Sequence, residues 1–234
     1  MKRLLKAAVL GACLGGTVAA AGEGMAGKRD MEAKTQKMVE KHQAWLDENV
    51  KDWPEKTQGV IATTIDKYGP PHGQTDGMLV WNDIGPWQKT VIFKEEVDHD
   101  FPMPHKDVME QTIAYQVPVD KFDDLAAYDG SVIAERTKGV LSARCDKEAA
   151  NFLAINLAND VATGKKSVAH ARKHYADAIA KLLKGEKPDP YLTGLKFEKK
   201  SDTHFTDRVA PQLRQMGIGG SGDEGMDEAK HPSK

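Results

Sequence analysis

Leu79-Val80-Trp81-Asn82-Asp83-Ile84-Gly85-Pro86-Trp87-Gln88-Lys89-Thr90-Val91-Ile92-Phe93-Lys94 is the stretch that sets the fold class. Leu79 to Trp81 reads as a short strand and Gln88 to Lys94 as a second one, rich in β-branched and aromatic side chains. Asn82 to Pro86 between them carries turn residues, so the unit reads as a hairpin. Immediately before it, Val60, Ile61, Ile65 and Tyr68 form an apolar stripe at helical spacing over Glu55–Tyr68. Gly69-Pro70-Pro71 stops that helix, because glycine takes the left-handed cap and proline cannot continue the hydrogen-bond ladder.

The pattern extends in both directions. On the N-terminal side, Met31, Met38, Trp45, Leu46 and Val50 recur at helical spacing from Asp30 to Val50, and Trp53-Pro54 breaks the run. On the C-terminal side, Val97 to Lys106 reads as a polar, proline-containing loop and Glu110 to Val117 as a half-buried strand. A short helix is expected over Pro118–Tyr128. A hairpin follows from Ser131–Thr137 and Val140–Arg144, turning at Lys138-Gly139. Asp146 then caps a helix from Lys147 to Ala162, and Ser167 caps a second from Val168 to Leu183, closed by Gly185. Strand runs flanked by helices give an α+β domain over residues 30–197. It is a small antiparallel sheet of short hairpin strands packed with N-terminal and C-terminal helices.

The termini read differently. Met1-Lys2-Arg3-Leu4-Leu5-Lys6, the apolar run from Ala7 and the small residues Val18 to Ala21 form an export signal over 1–21, with a linker over 22–29. Leu10-Gly11-Ala12-Cys13 offers the alternative of lipidation at Cys13, which would anchor the protein to the outer membrane. Residues 198–234 are polar and, toward the end, glycine-rich, so a disordered tail is expected. Cleavage after Ala21 removes three basic residues and moves the net charge from −2 to −5. That balance argues against a nucleic-acid partner. It leaves an envelope protein as a possible partner and limits membrane contact to the Cys13-anchored case. With Cys145 as the remaining cysteine, no intrachain disulfide can form. The chain also has no Asn-x-Ser/Thr acceptor, and these two absences suit a periplasmic or secreted protein.

Residues 55–94, a helix with a Gly-Pro stop followed by a Trp-bearing hairpin, are locally similar to modules of small outer-membrane-assembly lipoproteins. The motif is loose and no function is carried over from it.

Five groups of residues have chemistry to offer. Asp98-His99-Asp100-Phe101-Pro102-Met103-Pro104-His105-Lys106-Asp107 concentrates two imidazoles, a thioether and carboxylates. His99, His105 and Met103 are the candidate metal ligands, for copper if sulfur takes part and for zinc if carboxylate does. Binding is expected to weaken below about pH 6, where imidazole protonates. Cys145, beside Arg144 and ahead of a helix, is the candidate nucleophile of an enzyme that would draw its base from a loop histidine. His170 and His174 share a helix face with Asp177 but lack the zinc-protease motif. Trp53, Trp81, Trp87 and Tyr68 read either as core or as the floor of a cleft. Asn151, Asn156, Asn159 and Asp160 punctuate an apolar helix and must find partners if buried. The chain lacks CxxCH, P-loop and GxSxG motifs. The leading expectation is an exported, non-enzymatic binding or accessory protein. The alternatives are an exported hydrolase or redox enzyme using Cys145, and a lipid-anchored structural envelope protein.

Overall fold

The computed structural model describes residues 25–205 and 207–218. The expected export signal, Cys13 and the end of the polar tail lie outside them. The chain runs α1 (Ala26–Asn49), α2 (Glu55–Tyr68), β1 (Gly73–Gln74), β2 (Met78–Ile84), β3 (Trp87–His99) and β4 (His105–Ala114). A 3-10 turn (Val119–Lys121) leads into α3 (Phe122–Tyr128), β5 (Val132–Glu135) and β6 (Val140–Cys145). Then follow α4 (Glu148–Ala162), α5 (Val168–Leu183), a second 3-10 turn (Pro190–Leu192) and α6 (Pro211–Gln215). The six strands form one antiparallel sheet in the order β1-β2-β3-β4-β6-β5, so the fold is α+β. None of the described helices is long and apolar enough to cross a membrane.

Strand alternation explains how one sheet face carries both core and polar groups. Register pairs Leu79 with Ile92, Ile92 with Met109 and Met109 with Cys145. It also pairs Trp81 with Thr90, Thr90 with Gln111 and Gln111 with Ala143. These residues share a face, on which α2 packs over β3 and β4 and α4 packs over β4 and β6. Two apolar clusters lie side by side there. One joins α1 and α2 to Leu79, Trp81, Ile92 and Met109, and the other joins α3, α4 and α5 to Ile113, Leu141 and Ala143. Between them, Asn151 of α4 donates to the Met109 carbonyl and to Gln111 Oε1, both at 3.1 Å, tying helix to sheet as its burial requires. Trp81 and Trp87 are core residues rather than a cleft floor, at 0% and 1% exposure. The Trp81 indole donates to the Gly69 carbonyl at 2.9 Å.

Glu148, in the first turn of α4, joins three elements. Its carboxylate accepts from the Tyr68 hydroxyl at 2.5 Å and the Trp87 indole at 2.7 Å, and it pairs with Lys67. Tyr68 in turn sets the β2–β3 turn. A Cβ on Gly85 would lie 2.8 Å from the Tyr68 hydroxyl, and Gly85 has φ +53°. Only glycine satisfies both the close approach and the turn.

Three local expectations differ from the structure. The loop expected over 97–106 is the tip of a hairpin: β3 runs on to His99 and β4 starts at His105, with His99 opposite His105. A shift of register between Ile92 and Val97 separates this polar extension from the apolar part of β3, which is why alternation did not reveal it. The turn after Trp81 is shorter than expected, since Asn82 and Ile84 still pair with Lys89 and Trp87. Asp146 does not cap α4; its carboxylate is held by Lys56 and by Lys147 instead. Ser167 does cap α5, accepting from the His170 amide. The polar C-terminal segment begins along the β5–β6 hairpin, where the buried Thr203 hydroxyl donates to the Gly139 carbonyl at 2.7 Å.

Removing the Glu148 carboxylate strands the buried Trp87 indole N–H. Glu148→Ala is expected to cost about 1–3 kcal/mol, read as a lower urea midpoint with an unchanged slope. An unchanged midpoint would show that the three-element junction carries no stability.

Candidate metal centre

The hairpin tip brings together residues that are six and two apart in sequence. His105, Asp107 and Met109 share the helix-covered face of β4 by alternation, so the strand that supplies Met109 to the core carries the two polar residues inward with it. His99 sits across the ladder from His105, with ring centroids 4.9 Å apart. Phe101 fixes the tip against α5, its ring 5.3 Å from that of Tyr175 and 3.8 Å from the Arg172 guanidinium. Stacking of this kind is the usual way a cation and an aromatic ring pin a loop.

Asp107 is the centre of the group. It is 3% exposed and lies between the two imidazoles. Oδ2 is 3.1 Å from His99 Nδ1, and Oδ1 is 3.1 Å from His105 Nε2. On the far side of His99, Nε2 is 3.7 Å from Asp129 Oδ1. The contacts are close but off-axis: His99 Nδ1 and Asp107 Oδ1 are buried without a directed hydrogen bond. A native interior rarely leaves such groups without a partner. Donor atoms of His99, His105 and Asp107 all lie within 4.8 Å of one another, the one such group among the described residues.

The other ring nitrogen of His105 sets its role. Nδ1 lies 2.9 Å from the Met103 carbonyl, an arrangement in which Nδ1–H donates. A neutral ring so placed turns its Nε2 lone pair toward a carboxylate oxygen, and a positive charge must lie between them, either a proton or a metal ion. With a proton, His105 is an imidazolium. Burial opposes that charge, but the adjoining Asp107 carboxylate, the Cys145 sulfur and the Met103 carbonyl outweigh it, and the pKa is pushed up to about 11. Burial pushes Asp129 above the ordinary carboxylate range, partly offset by the Ser131 amide and hydroxyl and by His99.

Of the residues expected to bind metal, His99 and His105 converge and Met103 contributes its carbonyl. Cys145 faces the same side of the sheet, where its thiol donates to Asp146 Oδ1 at 3.7 Å. Arg144 points away, pairing with Glu110 at 3.1 Å on the opposite face. His170 and His174 have separate partners: the Ser167 hydroxyl at 3.0 Å for the first and Asp189 at 2.9 Å for the second. Asp107 stood in the polar cluster without being singled out, although its two-residue spacing from His105 was the available sign. Asp129 carried no such sign, reading only as the end of a helix.

No protein-family model, curated protein or solved structure matches the chain.

The imidazolium gives a pH signature to the metal-free protein. With the folded pKa raised above the ordinary histidine value of 6.5, the stabilisation is complete below about pH 6.5 and is lost as pH rises through about 11. Urea stability of the wild type should therefore fall between pH 7 and pH 10 relative to that of His105→Gln. Parallel profiles for the two proteins would contradict the assignment.

Proposed function

We propose that the protein is an exported, non-enzymatic metal-binding or accessory protein that holds a divalent transition ion between His99, His105 and Asp107. One observation carries this reading: two imidazoles converge on a buried carboxylate that has an oxygen without a directed hydrogen bond. The 3.1 Å separations are near the edge of roughly 3.4 Å expected for a tetrahedron with bonds of about 2.1 Å, so small shifts would complete the geometry. Two nitrogens and an oxygen favour zinc, with copper(II) as a competitor, whereas copper(I) would need sulfur. The Met103 carbonyl supports the site from behind by orienting His105.

The enzyme reading gains from the proximity of Cys145 to His105. It loses more through burial, which pushes the Cys145 thiol up and, with Asp146 and Asp107 nearby, outweighs the help of His105. A nucleophile needs the thiolate, and this environment disfavours it. The lipid-anchored reading depends on Cys13 and stands apart from the metal site.

The proton on His105 must leave before metal enters, so affinity should rise with pH well above neutrality. This replaces the threshold near pH 6 expected from an ordinary histidine. Calorimetric titration of the metal-free protein with zinc should show one site. A His99→Ala/His105→Ala double variant should bind more weakly by more than the roughly 10–100-fold that outer-shell changes cost. Equal, weak binding by the two proteins would make the cluster a purely structural ion-pair network.

A further inference from the structure

Each imidazole of the metal centre turns one nitrogen toward Asp107 and presents the other to a second oxygen. For His105 that oxygen is the Met103 carbonyl, 2.9 Å from Nδ1. For His99 it belongs to Asp129, whose Oδ1 lies 3.7 Å from Nε2. Histidine that ligates a metal almost always donates its other N–H to a carboxylate, a carbonyl or water. Both rings here have such an oxygen in place. Pairing Asp107 alone would give no reason to bury a second carboxylate, 2% exposed, behind one of its partners.

Asp129 is built into its position. Oδ1 accepts from the Ser131 amide and hydroxyl, both at 2.9 Å, which fixes the carboxylate on the turn between α3 and β5. Arg172 of α5 sets that turn against the hairpin tip. Its guanidinium donates to the Tyr128 carbonyl at 2.6 Å and lies 3.8 Å from the centre of the Phe101 ring. Tyr128 precedes Asp129 and Phe101 lies two residues beyond His99, so one arginine aligns the acid with the imidazole. Asp129 stands outside the group of donor atoms that lie within 4.8 Å of one another, so its role is not that of a ligand. Its 3.7 Å contact is longer than the 2.7–3.2 Å of an N–H···O bond. A metal ion would close this gap. Widening the 3.1 Å between His99 Nδ1 and Asp107 Oδ2 to the roughly 3.4 Å of a tetrahedral edge moves the ring away from Asp107, toward Asp129 on its far side.

We infer that Asp129 is the positioning residue of the metal centre, accepting from His99 Nε2–H and so fixing Nδ1 as the metal-binding nitrogen. The inference rests on the metal reading and adds to it a defined pair of nitrogens, Nδ1 of His99 and Nε2 of His105. With Nε2 protonated, the Nδ1 lone pair faces a carboxylate oxygen, which matches Nδ1 being buried without a directed hydrogen bond. The carboxylate behind the ring also makes His99 a more basic ligand.

Long-range proton–nitrogen NMR spectra of the zinc-loaded protein show which nitrogen of each ring carries the proton. The expected result is zinc on Nδ1 of His99 and on Nε2 of His105. Asp129→Asn keeps an acceptor for Ser131 and should bind zinc roughly 10–100-fold more weakly. In that variant the His99 Nε2–H resonance should move upfield, because a neutral amide replaces the carboxylate. Ser131→Ala, which disturbs the turn and leaves the carboxylate, should bind zinc as the wild type does. Zinc on His99 Nε2, wild-type affinity in Asp129→Asn, or an equal loss in Ser131→Ala overturns the positioning role and leaves the metal reading standing. A wild type that binds no zinc overturns both.

Discussion

A carboxylate taken out of water must be compensated, and at Asp107 the compensation organises one end of the molecule. At 3% exposure the group cannot rely on solvent. An isolated buried charge costs several kcal/mol even after relaxation, so opposite charge or a metal must stand close by. The protein provides two imidazoles from the two strands of one hairpin, each 3.1 Å away. For both to reach, β3 and β4 must stay paired as far as His99 and His105. The register shift after Ile92, the stacking of Phe101 on Arg172 and Tyr175, and the orientation of His105 by Met103 all serve that alignment. The same positive charge between His105 and Asp107 can be a proton or a metal ion. On the proposed reading, exchanging the one for the other would turn a structural cluster into a binding site without rearranging the fold.

Away from this end the sheet is held by ordinary burial. α2 and α4 cover one face side by side, and Glu148 fastens them to each other and to the start of β3. α1 is the exception, a 24-residue helix that contributes one buried residue. It lies along α2, where a Cβ on Gly59 would fall 2.8 Å from the Thr35 methyl, and its first turn meets α5 so closely that Gly27 leaves no room for a side chain.

Much of this architecture was readable from the residues. The bounds of α2 and α5 follow from the Gly69-Pro70-Pro71 stop, the Ser167 cap and Gly185, where local chemistry and tertiary structure agree. Strand ends were less legible. Apart from Val97, residues 94–99 and 105–107 are polar, and 97–99 pair with 105–107 because the hairpin continues, a tertiary cause that apolar alternation cannot signal. The candidate site was legible as a cluster, since His99, His105 and Asp107 fall within nine residues of one another. Its extension to Asp129 was not, because that residue arrives through the packing of α3, and Cys145 could be linked to the loop histidines only on condition that the sheet brought it close, which the β4–β6 pairing does. The tryptophans were ambiguous for a related reason. Whether an aromatic side chain floors a cleft or fills a core depends on what covers it, here α2 and α4.

The central claim is that the two imidazoles and the buried carboxylate share one ion. Crystals of the zinc-loaded protein measured at the zinc absorption edge test it most directly. The account predicts a single strong anomalous peak within about 2.0–2.2 Å of His105 Nε2, a ring nitrogen of His99 and an oxygen of Asp107. Zinc found only at surface histidines such as His170, with Asp107 still in contact with both imidazoles, would contradict it.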